Sequence, residues 1–148
     1  MPQRKKAARI IKKDTSTKSL ERQARGAKAD ASGLRYEQRV SNYFGRSGWK
    51  LTFRKIKHKY EYDIYGEREE DLGEREYLLI ECKDKTRVSA HDVVRFINKV
   101  DIFYKRLPEF LGEKPKIYAY LCYSADIDKD AASLAKAHKP SIKLKQLK

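Results

Sequence analysis

Two apolar runs with strand character enclose a strongly amphipathic segment in the second half of the chain. Ser89 and Asp92 match a capping box, in which the serine side chain accepts a hydrogen bond from a first-turn amide. Apolar residues then recur every three or four positions until Pro108, which predicts an α-helix with one face against a sheet. The runs "YLLIECK" at 77–83 and "KIYAYLCYS" at 116–124 are rich in strand formers. Strands and helices that alternate in this way predict an α/β fold.

The remaining elements follow from apolar periodicity and from the positions of glycine and other turn residues. They are a helix at 33–48, strands at 49–57 and 59–66, a polar connector at 67–76, a short helix at 128–138 and an edge strand at 141–147. The predicted fold class is therefore α/β, with a mixed central β-sheet flanked by helices.

The beginning of the chain differs in composition from the rest. Its first 32 residues hold ten Lys or Arg residues against three acidic residues, and few large apolar ones. We therefore predict a flexible basic arm at 1–32 and one folded domain at 33–148. A solubilising tail is the alternative, but so dense a cluster of positive charge favours contact with phosphate groups. The predicted contacts are made by Arg4, Lys5, Lys6, Arg9, Lys12 and Lys13.

The formal net charge of +14 favours a polyanionic partner, with nucleic acid as the first candidate and an anionic membrane surface as the second. The chain lacks an apolar run of the ~18 or more residues that a membrane-spanning helix needs. Its basic N-terminus is not followed by the apolar core of a secretory signal.

Cys82 and Cys122 lie in apolar runs without metal-ligand spacing, which predicts reduced core thiols. The predicted location is cytoplasmic and nucleoid-associated, without a membrane partner.

Ionisable residues interrupt the end of the first apolar run. Residues two apart in a strand face the same way, so Glu81 and Lys83 are predicted to project together. Asp63 lies in the preceding strand and approaches Glu81 if the two strands form a hairpin. Tyr62 and Ile64 are predicted on the face opposite Asp63. Carboxylates held this close repel each other unless a cation lies between them, and oxygen ligands of this kind suit Mg²⁺. Surface ion pairs are the alternative interpretation.

Asp63 followed by Glu81-Cys82-Lys83 at the end of an apolar strand resembles the signature of the PD-(D/E)XK nuclease superfamily. Glu37, in "GLRYEQRV", is similar to the first-helix glutamate of Holliday-junction resolvases and Mrr-type restriction endonucleases. The resemblance implies a restriction-endonuclease-like core, and the last predicted helix and strand fit Mrr-like members. Asp63, Glu81 and the backbone carbonyl of Cys82 would then bind the metal. Lys83 would assist the nucleophile, and Glu37 would support the metal or its water.

The function implied by this resemblance is that of a Mg²⁺-dependent endodeoxyribonuclease, with Mn²⁺ able to replace Mg²⁺. The expected substrate is branched DNA, such as a Holliday junction, in DNA repair or recombination, and the resemblance implies a homodimer. Two alternatives stay open: an Mrr-like restriction or repair endonuclease, and a non-catalytic nucleic-acid-binding module with the same fold. In the folded domain, the predicted nucleic-acid contacts are Arg54, Lys57, His58 and Lys85.

Overall fold

The structure is a computed structural model that describes residues 33–148, except residues 72 and 110. The predicted basic arm at 1–32 and its six predicted phosphate contacts lie outside the described residues. The elements are α1 (described at 33–44), a 3₁₀ turn (Gly45–Ser47), β1 (Lys50–Lys57), β2 (Tyr60–Glu69), β3 (Arg75–Lys83), β4 (Arg87–Val88), α2 (Ala90–Arg106), β5 (Lys116–Tyr123), β6 (Asp126–Ile127), α3 (Lys129–Ala137) and β7 (Ile142–Gln146).

Five strands form one mixed sheet in the order β1-β2-β3-β5-β7. Neighbours among β1, β2 and β3 are antiparallel, whereas β3, β5 and β7 run parallel to one another. A parallel neighbour needs a crossover connection, and α2 and α3 lie in these two connections. A separate parallel pair of two-residue strands, β4 and β6, was not predicted, because so short a strand shows no periodicity. The predicted fold class, a mixed central sheet flanked by helices, is confirmed.

The hairpin of β2 and β3 extends further than the sequence suggested. Half of the polar connector predicted at 67–76 is strand, at 67–69 and 75–76, and the turn is confined to the residues between. Opposite charges explain this, because Arg68 Nε lies 2.6 Å from Glu76 Oε1 and Arg75 lies 3.1 Å from Glu67 across the hairpin. Cross-strand ion pairs of this kind stabilise strands that apolar periodicity does not reveal.

The sheet has an apolar core on each face. One core joins α1 to the sheet and consists of Tyr36, Val40, Phe44, Ile64, Leu78, Ile80 and Cys122. The other joins α2 and α3 to the opposite face, and its buried residues include Tyr62, Leu79, Val93, Phe96, Val100, Phe103, Leu121 and Ala135. Both thiols are free, and that of Cys122 is buried. Cover on both faces explains the unbroken apolar runs at 77–80 in β3 and 117–122 in β5.

The helix α2 begins with the predicted capping box. The Asp92 N–H donates to Ser89 Oγ at 3.3 Å, and the Ser89 N–H donates to Asp92 Oδ2 at 2.9 Å. The helix ends at Arg106, and Pro108 follows two residues later. Its apolar stripe packs on the sheet, as predicted. Among the described residues, no helix combines the length and apolar character needed to cross a membrane.

The alternation of side chains along β2 is interrupted at Asp63. Tyr62 packs on the α2 face, where its hydroxyl donates a 2.7 Å hydrogen bond to the Lys99 carbonyl. Ile64 packs on the α1 face, so the prediction that both residues share a face was wrong. On β1, Arg54 lies between the pairing partners of Tyr62 and Ile64. Its φ is 52°, a conformation that non-glycine residues rarely adopt and that disturbs the regular pleat of the strand. Regular pairing of β2 with β3 also stops at Ile64.

Candidate active site

Asp63 lies where β2 and β3 stop pairing regularly, and its carboxylate takes the place of a main-chain acceptor. The Cys82 N–H donates a 2.8 Å hydrogen bond to Asp63 Oδ2. Burial raises the pKa of the Asp63 carboxyl from 3.8 to about 7, and the negative charges of Glu81 and Glu37 add to the rise. The hydrogen bond from Cys82 and the charge of Lys99 oppose this rise only in part. Asp63 is therefore a carboxyl group in a site that disfavours its negative charge.

Glu81 lies beside two lysines at the end of β3. Its Oε1 is 3.2 Å from Lys99 Nζ, and its Oε2 is 3.5 Å from Lys83 Nζ. The contact between Glu81 and Lys83 agrees with their placement on one side of the strand by the two-residue period. Only 9% of the Glu81 side chain is exposed, so the two lysines balance a nearly buried charge.

Glu37 reaches the same region from α1. One carboxylate oxygen, Oε2, accepts a 3.2 Å hydrogen bond from Arg54. The other, Oε1, is buried and has no hydrogen-bond partner among the described residues. Burial raises the pKa of Glu37, with further contributions from Glu61 and Glu81, while Arg54 lowers it. A buried oxygen without a hydrogen-bond partner is uncommon in a native structure, and a bound water or ion is one way to satisfy it.

The three carboxylates fit a hard divalent cation by their chemistry. Asp63, Glu81 and Glu37 come from three different elements, and negative charge on one disfavours negative charge on the others. Mg²⁺ takes oxygen ligands of this kind and would relieve the repulsion. Within the described part of the chain, no three histidine, cysteine or acidic side chains are already arranged to hold a metal ion. Two of the three carboxylates are instead engaged in ion pairs, Glu37 with Arg54 and Glu81 with Lys99.

Lys99 is the residue of this cluster that the sequence analysis missed. Its Nζ bonds both Glu81 Oε1 at 3.2 Å and the Glu61 carbonyl at 2.9 Å, so it joins α2 to β2 and β3. The spacing of Lys99 in the sequence could have revealed it. Lys99 lies three residues after Phe96 and one before Val100, and both of these residues are buried against the sheet. A lysine at such a position points its charge toward the sheet.

Replacement of Lys99 by Met is expected to lower the free energy of unfolding by about 2 kcal/mol, because the nearly buried Glu81 carboxylate loses a charged partner. Urea denaturation measures the change. Lys105→Met, at an exposed position of the same helix, is the control and should change stability by less than about 0.5 kcal/mol. In a Lys99→Met/Glu81→Gln double variant, part of the loss should be recovered. Equal stabilities of the Lys99 and Lys105 variants would contradict the assigned contact.

The residues predicted to contact nucleic acid in the folded domain are engaged within the protein. Arg54 pairs with Glu37, and Lys85 Nζ lies 2.5 Å from Asp92 Oδ2. Lys57 lies over the Tyr65 ring, 5.7 Å from its centre. His58, in the turn between β1 and β2, lies edge-on to Phe103, and burial together with nearby positive charge lowers its pKa. Their roles in binding stay predictions.

No protein-family model and no curated protein matches the chain. Among solved structures, the chain is similar to a repair endonuclease from Pyrococcus abyssi, with a TM-score of 0.53 and 15% identity over 78% of this chain and 46% of that one. EndoMS in its apo form aligns with a TM-score of 0.45 and 16% identity, over 76% of this chain and 46% of that one. The chain thus spans less than half the length of the endonuclease that it resembles. At this identity the likeness concerns the fold, and the protein shares its fold with the Pyrococcus abyssi repair endonuclease.

Proposed function

We propose that the protein is a metal-dependent nuclease that hydrolyses phosphodiester bonds in DNA. One observation supports this most strongly. The carboxylates of Asp63, Glu81 and Glu37 lie close enough to disfavour one another's charge, and two lysines flank them at the end of β3. A mixed set of acids and lysines at the end of a sheet suits the hydrolysis of a charged ester. The fold shared with a repair endonuclease is consistent with the proposal.

Each residue has a proposed role in this chemistry. Asp63 and Glu81, with the backbone carbonyl of Cys82, would hold Mg²⁺ or Mn²⁺. A bound metal of this kind polarises a phosphoryl oxygen and lowers the pKa of water. Lys83 orients the attacking water or balances the charge that develops on the phosphate. Glu37, whose Oε1 has no hydrogen-bond partner among the described residues, would accept a hydrogen bond from that water.

The proposed superfamily and the proposed kind of DNA substrate rest on the sequence signature. Asp63 with Glu81-Cys82-Lys83 supports membership of the PD-(D/E)XK superfamily, and the likeness of Glu37 to the first-helix glutamate of Holliday-junction resolvases supports branched DNA, including the Holliday junction, as the substrate. We propose that the protein acts on such DNA in repair or recombination at the nucleoid, as a homodimer that places two sites on two strands. An Mrr-like restriction or repair endonuclease is the related alternative.

A non-catalytic DNA-binding module is the second candidate, and one observation favours it. Lys99 and Arg54 already neutralise Glu81 and Glu37, as they would in a site that has no use for a metal. Under this alternative, the positive charge of the chain would bind DNA, and the acidic residues would serve only to hold α1, β1 and α2 together.

Incubation with labelled single-stranded, linear duplex, flap and four-way-junction DNA separates these functions. A nuclease of the proposed kind is expected to cut in Mg²⁺ or Mn²⁺ and not in EDTA, with the four-way junction or the flap cut in preference to linear duplex. Preferential cleavage of linear duplex would favour the Mrr-like alternative. Binding without cleavage of any of the four substrates, in either metal, would favour the binding module.

A further inference from the structure

Aromatic and basic side chains alternate on the α1 side of the sheet, across its β7 edge. We refer to this set as the aromatic–basic surface. It consists of Tyr43, Tyr118, Tyr120, Lys143 and Lys145. It lies on α1, β5 and β7, whereas the carboxylates of the candidate active site come from α1, β2 and β3. The nuclease proposal assigns no role to these side chains.

The two lysines of this surface have no acidic partner in the described part of the chain. Lys143 Nζ lies 5.7 Å from the ring centres of both Tyr118 and Tyr120, and Lys145 Nζ lies 4.9 Å from that of Tyr43. Lys83, Lys85 and Lys99 differ in this respect, because each forms an ion pair with a carboxylate. Contacts between an exposed ammonium group and a ring are weak, so the two lysines can exchange them for a stronger anion.

The rings beneath the lysines are held in place by the fold. Phe44 contacts Tyr43 and Tyr120 edge-on, with ring centres 5.1 and 4.9 Å apart. The Tyr118 hydroxyl donates a 3.1 Å hydrogen bond to Glu76. Tyr43 is 49% exposed, in spite of its contact with Phe44. A half-exposed ring offers a flat apolar face against which a base can stack.

We propose that the aromatic–basic surface binds a single-stranded segment of DNA. Lys143 and Lys145 would contact phosphates, and the ring faces they now cover, with that of Tyr43 foremost, would stack against bases. Proteins that bind unpaired strands combine cationic groups and aromatic rings in this way, because every base has a flat face. The inference rests on the proposed function for the choice of DNA as ligand. It deepens that function, since a flap or a gapped duplex, unlike an intact four-way junction, contains an unpaired segment.

Binding of the full-length protein to labelled oligo(dT), measured by fluorescence anisotropy in EDTA, tests this surface. Tyr43→Ala is expected to weaken binding about tenfold through the loss of one stacked base, whereas Tyr43→Phe retains the ring and should bind like the parent. Lys143→Gln/Lys145→Gln should make the slope of log Kd against log salt shallower by about 1.4, for two phosphate contacts on a single strand. Circular dichroism confirms that each variant is folded.

The matched control for charge is Lys129→Gln/Lys136→Gln, which removes two exposed lysines from α3 on the opposite side of the sheet. A Tyr43→Ala variant that binds like the parent, or a Lys143/Lys145 variant with the same salt slope as this control, would overturn the proposal. Because EDTA prevents cleavage, the outcome does not depend on catalysis. A parent protein that cuts DNA while these variants bind normally would disprove this surface and leave the nuclease proposal intact.

Discussion

Mg²⁺-dependent cleavage of DNA is expected to fall by about 100- to 1,000-fold in a Glu81→Gln variant, while binding of the same DNA persists. The amide keeps the size of the side chain and its contact with Lys99, but it removes the negative charge of a proposed metal ligand. DNA affinity should stay equal or rise slightly, because one charge that repels phosphate is lost. Single-turnover cleavage and anisotropy on one substrate measure the two effects separately.

Lys83→Ala should reduce cleavage to a similar extent by a different route. Its metal affinity should stay near that of the parent, since the carboxylates are unchanged, and this is measurable by titration calorimetry. Glu113→Gln, an exposed acid far from the site in the sequence, is the matched control for a lost negative charge and should cleave normally. If the Glu81 and Lys83 variants cleave at the rate of the parent and of this control, the site has been assigned to the wrong residues.

Asp63→Asn is expected to stabilise the metal-free protein at pH 8 by about 3 to 4 kcal/mol, because it removes a carboxylate that the fold disfavours. The pKa of Asp63 is about 7 in the folded protein against an ordinary value of 3.8. Between these two values the folded state holds a proton that the unfolded state has released. The stabilising contribution of that proton is complete below about pH 4 and is lost as the pH rises through 7.

Thermal unfolding in EDTA at pH 4 and pH 8 measures the effect of this substitution. The parent and Asp63→Asn should unfold at similar temperatures at pH 4, and the variant should unfold at the higher temperature at pH 8. Asp71→Asn, in the exposed turn between β2 and β3, is the control and should follow the parent at both pH values. Mg²⁺ at pH 8 should stabilise the parent and not Asp63→Asn. A variant less stable than the parent at pH 8 would show that the Asp63 charge is favourable.

Much of the fold could be predicted from the sequence because local patterns determine it. Ser89 with Asp92, and the apolar spacing up to Pro108, define α2 without reference to the rest of the molecule. The strands β3 and β5 were equally clear, since each contains an unbroken apolar run of the kind that a strand covered on both faces needs. The strand ends next to the β2–β3 turn could not be predicted from the sequence. Cross-strand ion pairs such as Arg68–Glu76 stabilise them, and such pairs can be recognised only once the register of the two strands is known.

The candidate site could be predicted only in part. The contact between Glu81 and Lys83 follows from the two-residue period of a strand. Lys99 was missed because a lysine within an apolar stripe is ordinarily assigned to the surface, and only the packing of α2 on the sheet brings its Nζ to Glu81. The interrupted alternation at Asp63 lies opposite Arg54, whose positive φ no periodic pattern encodes.

The hydrogen bond from the Cys82 N–H to Asp63 has a consequence for how this protein can be dissected by mutation. Alanine at position 63 would remove a charged group and a main-chain acceptor together, and the unsatisfied amide would cost about 1–3 kcal/mol. If such a variant were inactive, a folding defect and the loss of a catalytic group would explain the result equally well. Alanine scanning is therefore ambiguous at this position, and only an isosteric replacement separates the two causes.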